Sequence, residues 1–160
     1  MLTAVILTLN EENIIGDCLK ALDFVDRKVL VDSGSQDKTV EIAESLGAEV
    51  HYHEFEDYAK QRNFALQLVD SGWIVMVDAD EIVPPQLALE IVDFVNSDKS
   101  EYGMALVRRK DFFHGVWLRH AGFYPTWLPR LFRAGKVKVV RSINEQYLSC
   151  LLYTSDAADD

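Results

Sequence analysis

Apolar and polar positions follow two alternating patterns along the first hundred residues. Short continuous apolar runs are followed by longer segments in which apolar side chains recur every three or four positions, as Ile15, Cys18, Leu19 and Leu22 do. The first pattern is typical of buried strands, and the second of helices with one apolar face. The sequence therefore predicts strands at residues 2–9, 28–31, 49–53 and 73–77, and helices at residues 12–22, 39–46, 57–69 and 84–95.

This alternation of strands and helices predicts an α/β fold. The predicted strands are apolar on both faces, which is typical of parallel sheets covered by helices on each side. We therefore expect a three-layer α/β/α domain with a mostly parallel sheet. In such sheets ligands bind at the carboxyl ends of the strands, and polar clusters follow the first, second and fourth predicted strands at those ends.

The helical pattern is lost after residue 100. Residues 102–107 are predicted to form another strand, and residues 111–133, which are rich in aromatic residues, a loop and hairpin region that covers a site at the sheet edge. The stretch 149–160 changes abruptly to small and acidic residues, which indicates a non-native or disordered tail. We expect residues 1–148 to form a single domain that is truncated at its C-terminal end.

The composition, with 49% hydrophobic and 26% charged residues, is that of a soluble globular protein. The net charge of -10 hides a basic region at residues 108–141, in which Asp111 is the only acidic residue. This region favours an anionic partner, either a diphosphate or an anionic membrane surface in peripheral contact. Nucleic acid is excluded as a partner because the rest of the surface would repel it.

Location in the cell is inferred from what the sequence lacks. No apolar run reaches the roughly 18 residues that a membrane-spanning helix needs, and the N-terminus lacks the basic region of a signal peptide. Cys18 and Cys150 form no motif, so a reduced compartment is expected. These features predict a cytoplasmic protein, with any membrane contact peripheral and at the inner face of the plasma membrane.

The most specific cluster is VMVDADE at residues 75–81. Asp78 and Asp80 flank a small residue directly after a buried strand, where two carboxylates can offer oxygens to one hard cation. Mg²⁺ and Mn²⁺ bind in this way while substrate phosphates fill the other coordination positions. The alternative is an acidic turn in which Asp80 or Glu81 caps the next helix.

Three further clusters lie at predicted strand ends or helix starts. In VDSGSQDKT, Asp32 can accept a hydrogen bond from a base or a ribose, and the turn of Ser33 and Gly34 lets a ligand approach the backbone closely. The alternative there is a plain turn with a helix cap. The remaining candidates are Thr8, Asn10 and Glu11, which can line a nucleoside pocket unless Asn10 only caps a helix, and Arg62, which can reach a diphosphate.

The motifs LTLNEEN, VDSGSQDKT, YAKQRN and VDADE, in this order and spacing, resemble the family-2 glycosyltransferases with the GT-A fold. The resemblance is to bacterial lipopolysaccharide-core and cell-envelope glucosyltransferase-like proteins, and it covers about residues 3–146. It implies that Asp32 contacts the base, with Thr8, Asn10 and Glu11 in the same pocket. It also implies that Asp80 is the principal ligand of Mg²⁺ or Mn²⁺, that Asp78 lies near the ribose and the metal, and that Arg62 lies near the diphosphate.

The resemblance also implies a catalytic base. The family's Val-His-Glu motif aligns with Ile143, Asn144 and Glu145, so the glutamate is retained and the histidine is not. Glu145 is the first candidate for the base and Asp111 the second.

The reaction expected from the resemblance is inverting transfer of a sugar, most simply from a UDP-sugar, to a saccharide or lipid-linked acceptor in cell-envelope biosynthesis. Two other functions stay open. One is a nucleotide-sugar-binding fragment without transfer activity. The other is a sugar-phosphate nucleotidyltransferase, although the chain lacks a glycine-rich phosphate loop after its first strand.

Overall fold

The computed structural model describes residues 1–97, 101–118, 125–140, 147–149 and 152–154. The helices are α1 (Ile15–Ala21), α2 (Thr39–Ser45), α3 (Tyr58–Gln67) and α4 (Pro85–Asn96). The strands are β1 (Leu2–Thr8), β2 (Arg27–Asp32), β3 (Glu49–Tyr52), β4 (Trp73–Asp78), β5 (Met104–Arg109), β6 (Phe112–Phe113), β7 (Val116–Trp117), β8 (Thr126–Arg133), β9 (Val137–Val139), β10 (Tyr147–Ser149) and β11 (Leu152–Thr154).

A seven-stranded sheet in the order β11-β5-β8-β4-β1-β2-β3 forms the centre of the molecule. Strand β1 pairs in parallel with β2 and β4, and β2 pairs in parallel with β3. Only β8 runs the other way, antiparallel to both of its neighbours, β4 and β5. The predicted mostly parallel sheet is confirmed, and the polar clusters after β1, β2 and β4 lie at one edge, which we call the carboxyl edge.

Two apolar layers sandwich the sheet. On one face α1, α2 and α4 pack against alternate strand residues around Ile15, Leu19 and Ile91. On the other face α3 packs around Ala65, and Phe132 of β8 is fully buried beside it. The three-layer architecture predicted from the sequence is therefore confirmed.

The prediction for residues 111–133 was partly wrong. Strands β6 and β7 do form a hairpin, closed by the two-residue turn of His114 and Gly115, both with positive φ. Residues 126–133, however, form β8 inside the main sheet. The sequence did not indicate this strand because Pro129 lacks the N–H that a residue of a central strand uses for pairing. The sheet accommodates Pro129 beside an irregularity in the register of β5.

Two short strands reach into the predicted tail: β10 ends at Ser149, and β11 lies wholly within residues 149–160. Strand β10 pairs with β9, and β11 pairs in parallel with β5. That residues 149–160 are foreign to the protein stays a prediction. Across the described residues, the helices are all too short or too polar to cross a membrane.

Candidate active site

The carboxylate of Asp32, at the end of β2, organises the turn that follows it. Its Oδ2 accepts hydrogen bonds from the backbone N–H groups of Gly34 and Ser35, both at 2.9 Å. Its Oδ1 accepts from the hydroxyls of Ser35, at 2.5 Å, and of Thr8 on β1, at 3.2 Å. Asp32 and Thr8 are buried, so in this arrangement they form the floor beneath the carboxyl edge. Their predicted contacts with a nucleoside stay predictions.

The loop after β1 is fastened to the loop after β2. Asn10 adopts a left-handed conformation with φ of 57°, donates from its backbone N–H to Ser35 Oγ at 2.8 Å, and accepts from the N–H of Gln36 at 2.8 Å. The N–H of Glu11 donates to Thr39 Oγ1 at 2.7 Å. Asn10 thus ties two loops together instead of capping α1, whose first residue is Ile15.

The predicted turn of Ser33 and Gly34 is closely surrounded. Gly34 has φ of 103°, and a Cβ there would lie 3.5 Å from Cε2 of Tyr52, whose ring is 68% exposed. Ser33 accepts at its Oγ from Nε2 of Gln61, at 3.0 Å. The structure therefore brings Thr8, Asn10, Glu11, Asp32, Ser33 and Gly34 together, as the sequence predicted.

Gln61 belongs to this edge but was missed. It is buried on α3, and its Oε1 lies 2.6 Å from Nδ1 of His53, so it links the ends of β2 and β3. The position of Gln61 between two cationic residues of the YAKQRN motif is the sequence feature that could have indicated it. The next residue but one, Asn63, makes a two-bond clamp with the backbone of Val139 on β9, at 2.8 and 3.0 Å.

A network of charged side chains occupies the end of β4. Arg62 from α3 donates to Asp78 Oδ1 at 3.1 Å, and Arg130 from β8 donates to Asp78 Oδ2 at 2.7 Å. The same Arg130 nitrogen donates to Glu81 Oε1 at 2.6 Å. The side chains of Arg62 and Arg130 are 7% and 13% exposed, so the guanidinium groups are largely removed from solvent, whereas Asp78 and Glu81 are half-buried. Glu81 was predicted only as a helix cap, and its pairing with Arg130 was missed.

The network fixes the charges of its members. Burial by itself raises the pKa of Asp78, but attraction to Arg130 and Arg62 outweighs it and holds that pKa below the usual value of 3.8. Burial likewise lowers the pKa of Arg130, and the nearby Glu81 and Asp78 more than offset this, so its pKa is raised. Asp78 and Arg130 are therefore both ionised at neutral pH.

Asp80 differs from Asp78 in its surroundings. Its side chain is exposed, and no hydrogen bond or ion pair engages it within the part of the chain that the structure describes. Beside Asp78 opens a cleft of about 340 Å³ lined by Arg62, Arg109, Leu128, Pro129, Arg130 and Tyr147. The site thus combines one available carboxylate with a cleft that carries three guanidinium groups.

A divalent cation fits this donor set only with help from a ligand. Carboxylate oxygens suit Mg²⁺ or Mn²⁺, but such ions are usually held by one or two carboxylates together with substrate phosphates. Among the described residues no three His, Cys, Asp or Glu side chains converge as a metal-binding group. Asp80, with Asp78, would therefore supply the protein's share of the coordination.

Cys18 lies directly beneath this acidic turn. Its Sγ is 3.9 Å from the carbonyl oxygen of Asp78, and the side chain is fully buried. Burial, followed by repulsion from Glu81, Asp80 and Asp78, raises the pKa of the Cys18 thiol to about 12. The thiol is therefore neutral and packs as an apolar group.

Of the two candidates for the catalytic base, the structure describes one. Glu145 lies outside the described residues. Asp111 follows β5 and forms an ion pair with Arg109, whose Nε is 2.8 Å from Asp111 Oδ1. Since Arg109 lines the cleft, Asp111 is connected to the site through that pair. Both assignments stay predictions.

Comparison with known proteins identifies glycosyltransferases as relatives of this chain. The chain is 40% identical over 91 residues to an uncharacterised glycosyltransferase of Rickettsia bellii, covering 56% of this chain and 31% of that protein. It is 32% identical over 113 residues to the lipopolysaccharide core biosynthesis glycosyltransferase LpsC of Rhizobium meliloti, covering 68% of this chain and 42% of that protein. The chain thus spans less than half of the length of these relatives.

Solved structures show the same fold. S. aureus TarS 1–349 superposes with a TM-score of 0.62 at 21% identity, covering 83% of this chain and 47% of that one, and TarS has also been solved with UDP and with UDP-GlcNAc. The mannosyltransferase PcManGT of Pyrobaculum calidifontis, solved with GDP-Man and Mn²⁺, superposes with a TM-score of 0.55 at 24% identity, covering 68% of this chain and 35% of that one. These likenesses confirm the predicted GT-A architecture.

The family assignment rests on nearly the whole chain. The model of Glycosyl transferase family 2 matches residues 3–160, a span that includes the Asp32 turn, α3 with Arg62, and the acidic turn after β4. The predicted resemblance is therefore confirmed, and the chain belongs to glycosyl transferase family 2.

Proposed function

We propose that the chain binds a nucleoside-diphosphate sugar at the carboxyl edge and forms the donor-binding part of an inverting glycosyltransferase. One observation carries the proposal: Asp78, two residues before the exposed carboxylate of Asp80, lines a cleft together with Arg62, Arg109 and Arg130. Guanidinium groups bind phosphate oxygens in a fixed geometry, and a carboxylate beside them suits a phosphate-bound cation. The arrangement therefore matches a diphosphate with its metal ion.

The nucleoside would lie over the fastened loops after β1 and β2. Gly34 has no side chain to stand between a ligand and its backbone, and Tyr52 beside it, which is 68% exposed, offers a flat face to a base. Asn10 and Glu11 border the same area, above the floor made by Thr8 and Asp32. A uridine nucleotide is our preferred ligand, in keeping with the UDP complexes of TarS.

The reaction we propose is a single displacement at the anomeric carbon. The acceptor hydroxyl loses its proton to a carboxylate, Glu145 first and Asp111 second, as its oxygen bonds to the anomeric carbon. The bond from that carbon to the diphosphate oxygen breaks, and the configuration inverts. Arg62 and Arg130 stabilise the charge that the leaving diphosphate gains. A bound Mg²⁺ or Mn²⁺ at Asp80 and Asp78 would supply further stabilisation of that charge.

The acceptor we propose is a saccharide or a lipid-linked saccharide of the cell envelope, made at the cytoplasmic face of the membrane. The relationship to a lipopolysaccharide core enzyme supports this. So does the β6–β7 hairpin, where Phe112, Phe113 and Val116 are 64–65% exposed and follow Arg108, Arg109 and Lys110. Aromatic side chains at the end of a basic segment suit an anionic bilayer surface in peripheral contact.

Calorimetry tests donor binding. We expect UDP to bind the wild-type chain more tightly with Mn²⁺ than without it, and Asp80→Ala to remove that metal-dependent gain because the available carboxylate is lost. Asp70→Ala is the control, since Asp70 is exposed on the connection before β4 and lies away from the carboxyl edge. Equal affinity of Asp80→Ala and wild type for UDP in the presence of Mn²⁺ would contradict the metal assignment.

Transfer is tested separately from binding. Mass detection of a glycosylated acceptor with UDP-sugar and Mn²⁺ would support the transferase, and its loss in Glu145→Gln would support the base. Donor binding without any transfer, in a chain that carries the full length of its relatives, would favour a nucleotide-sugar-binding protein instead.

Vesicle sedimentation tests the hairpin. We expect the wild-type chain to sediment with vesicles that contain phosphatidylglycerol. The double variant Phe112→Ser/Phe113→Ser should stay in the supernatant, because the two rings are the largest exposed apolar groups of the hairpin. Leu89→Ser, at a side chain on α4 that is 63% exposed, is the matched control. Binding that is equal in all three proteins would refute the hairpin as the contact.

A further inference from the structure

Arg130 already provides a cation at the place where the acidic turn gathers its oxygens. A single nitrogen, Nη2, lies 2.7 Å from Asp78 Oδ2 and 2.6 Å from Glu81 Oε1. Ligand oxygens lie about 2.0–2.6 Å from bound Mg²⁺ or Ca²⁺. The guanidinium nitrogen therefore fills the same gap between two carboxylates that a divalent cation would fill.

The remaining oxygens of the turn are also in use. Asp78 Oδ1 accepts from Arg62 at 3.1 Å, and Glu81 Oε2 accepts from the N–H of Asp78 at 3.2 Å. Of the three carboxylates in the VDADE motif, only Asp80 is exposed and has no partner among the described residues. A cation that approaches the free protein thus meets one available carboxylate and two guanidinium groups that repel it.

The guanidinium group of Arg130 would also have an alternative partner, a diphosphate bound in the cleft. Arg130 lines the cleft together with Arg62 and Arg109, and a diphosphate in that cleft would offer it oxygens in exchange for those of Asp78 and Glu81. The exchange is local, because Arg130 is held on the central strand β8 and only its side chain has to turn. Asp78 and Glu81, released in this way, then join Asp80 as oxygen donors for a metal ion.

We propose that Arg130 is a built-in counter-cation that excludes a divalent ion from Asp78 and Glu81 until a diphosphate draws its guanidinium away. This inference rests on the proposed function and deepens it. Its consequence is that the metal ion and the nucleotide bind together, each strengthening the other, and that the free protein binds the metal weakly. Arg130 is thus a positioning residue for the metal as well as a ligand of the diphosphate.

Mn²⁺ titration followed by electron paramagnetic resonance tests the proposal. In the absence of nucleotide we expect Arg130→Gln to bind Mn²⁺ roughly tenfold more tightly than wild type, which is within the usual range of coupling between sites. Arg130→Lys should bind as weakly as wild type, because an ammonium group can fill the same gap. Lys20→Gln, which removes one positive charge from the exposed side of α1, should also leave Mn²⁺ binding unchanged.

Thermal unfolding gives a second measurement that does not depend on nucleotide. Removing Arg130 leaves Glu81 without its counter-charge and Asp78 with Arg62 alone. Arg130→Gln should therefore be destabilised, and Mn²⁺ alone should restore its melting temperature while leaving that of wild type unchanged. If Arg130→Gln is unfolded without metal, we expect Mn²⁺ to restore a cooperative transition. Failure of Mn²⁺ to do either would overturn the proposal.

The outcomes separate this inference from the proposed function. Absence of UDP binding to wild type, with and without Mn²⁺, would refute the proposed function. UDP binding in wild type combined with identical nucleotide-free Mn²⁺ affinities of wild type and Arg130→Gln would refute only the role of Arg130.

Discussion

The ends of β2 and β4 both carry the same chemical group, an aspartate carboxylate, but its charge is balanced in different ways. Asp32 accepts hydrogen bonds from neutral donors, and its two backbone donors follow it within three residues of the chain. Asp78 is paired with guanidinium groups from α3 and β8, of which Arg130 is 52 residues away along the chain. One carboxylate is thus held by its own turn, and the other by distant elements.

The difference separates a fixed part of the site from an exchangeable one. Backbone N–H groups cannot leave Asp32 without unfolding the turn, so the hydrogen-bonded floor at the end of β2 is preformed. Guanidinium side chains can change partners, so the end of β4 can pass from protein ion pairs to ligand phosphates. A rigid turn beside an exchangeable network of ion pairs suits the proposed binding and release of a sugar donor.

The largest effect that tests this comparison is expected from Asp78→Asn. A neutral amide leaves the buried charges of Arg62 and Arg130 without their carboxylate, and breaking such a pair from one side typically costs about 3 kcal/mol. Urea denaturation at pH 7 measures the loss in the free energy of unfolding. Asp70→Asn, the same change at an exposed position, should change it little. Comparable losses in the two variants would show that the Asp78 network does not stabilise the fold.

A smaller effect is expected from Asp32→Asn, although Asp32 is the more deeply buried of the two carboxylates. The amide oxygen can still accept from the backbone of Gly34 and Ser35, and the hydroxyls of Thr8 and Ser35 can reverse to accept from the amide nitrogen. We expect a loss of about 1 kcal/mol in the same denaturation experiment. A loss as large as that of Asp78→Asn would remove the distinction between the two strand ends.

The smallest expected effect is on the pH dependence of stability, compared between Asp78→Asn and wild type. The pKa of Asp78 is lowered in the folded protein by Arg130 and Arg62, despite burial, relative to its usual 3.8. Its contribution to stability is therefore fully present above pH 3.8 and is lost as the pH falls through the lower folded value. Denaturation between pH 5 and pH 2.5, taken relative to wild type, should bring Asp78→Asn progressively closer to wild type. A difference that stays constant with pH would contradict this.

Much of the fold was predictable because its signals are local. Apolar runs and helical periodicity located β1 to β4 and α1 to α4, and the carboxyl-edge rule then placed Asp32, Asp78 and Asp80 at one edge. Strand β8 was not predictable in the same way, since Pro129 and its neighbouring arginine interrupt the apolar pattern. Its position between β4 and β5 depends on pairing that no local pattern encodes.

The same limit applies within the site. The sequence indicated which acidic and cationic residues belong there, but not that Arg130 bridges Asp78 and Glu81 or that Gln61 joins the ends of β2 and β3. These contacts join elements that are far apart along the chain or separated by a loop, so only the assembled sheet defines them. The residues with local roles were foreseen, and those that connect elements were not.

The antiparallel strand β8 also has a consequence for how the molecule folds. It enters the sheet between β4 and β5, two strands that precede it in the chain. Its pairing with β4 requires closure of a long loop and therefore belongs to the slow class of contacts. Asp78 and Arg130 meet only when this strand is inserted. The proposed nucleotide binding should therefore appear late during refolding, after most of the helix signal has been recovered, and its appearance would report that β8 has entered the sheet.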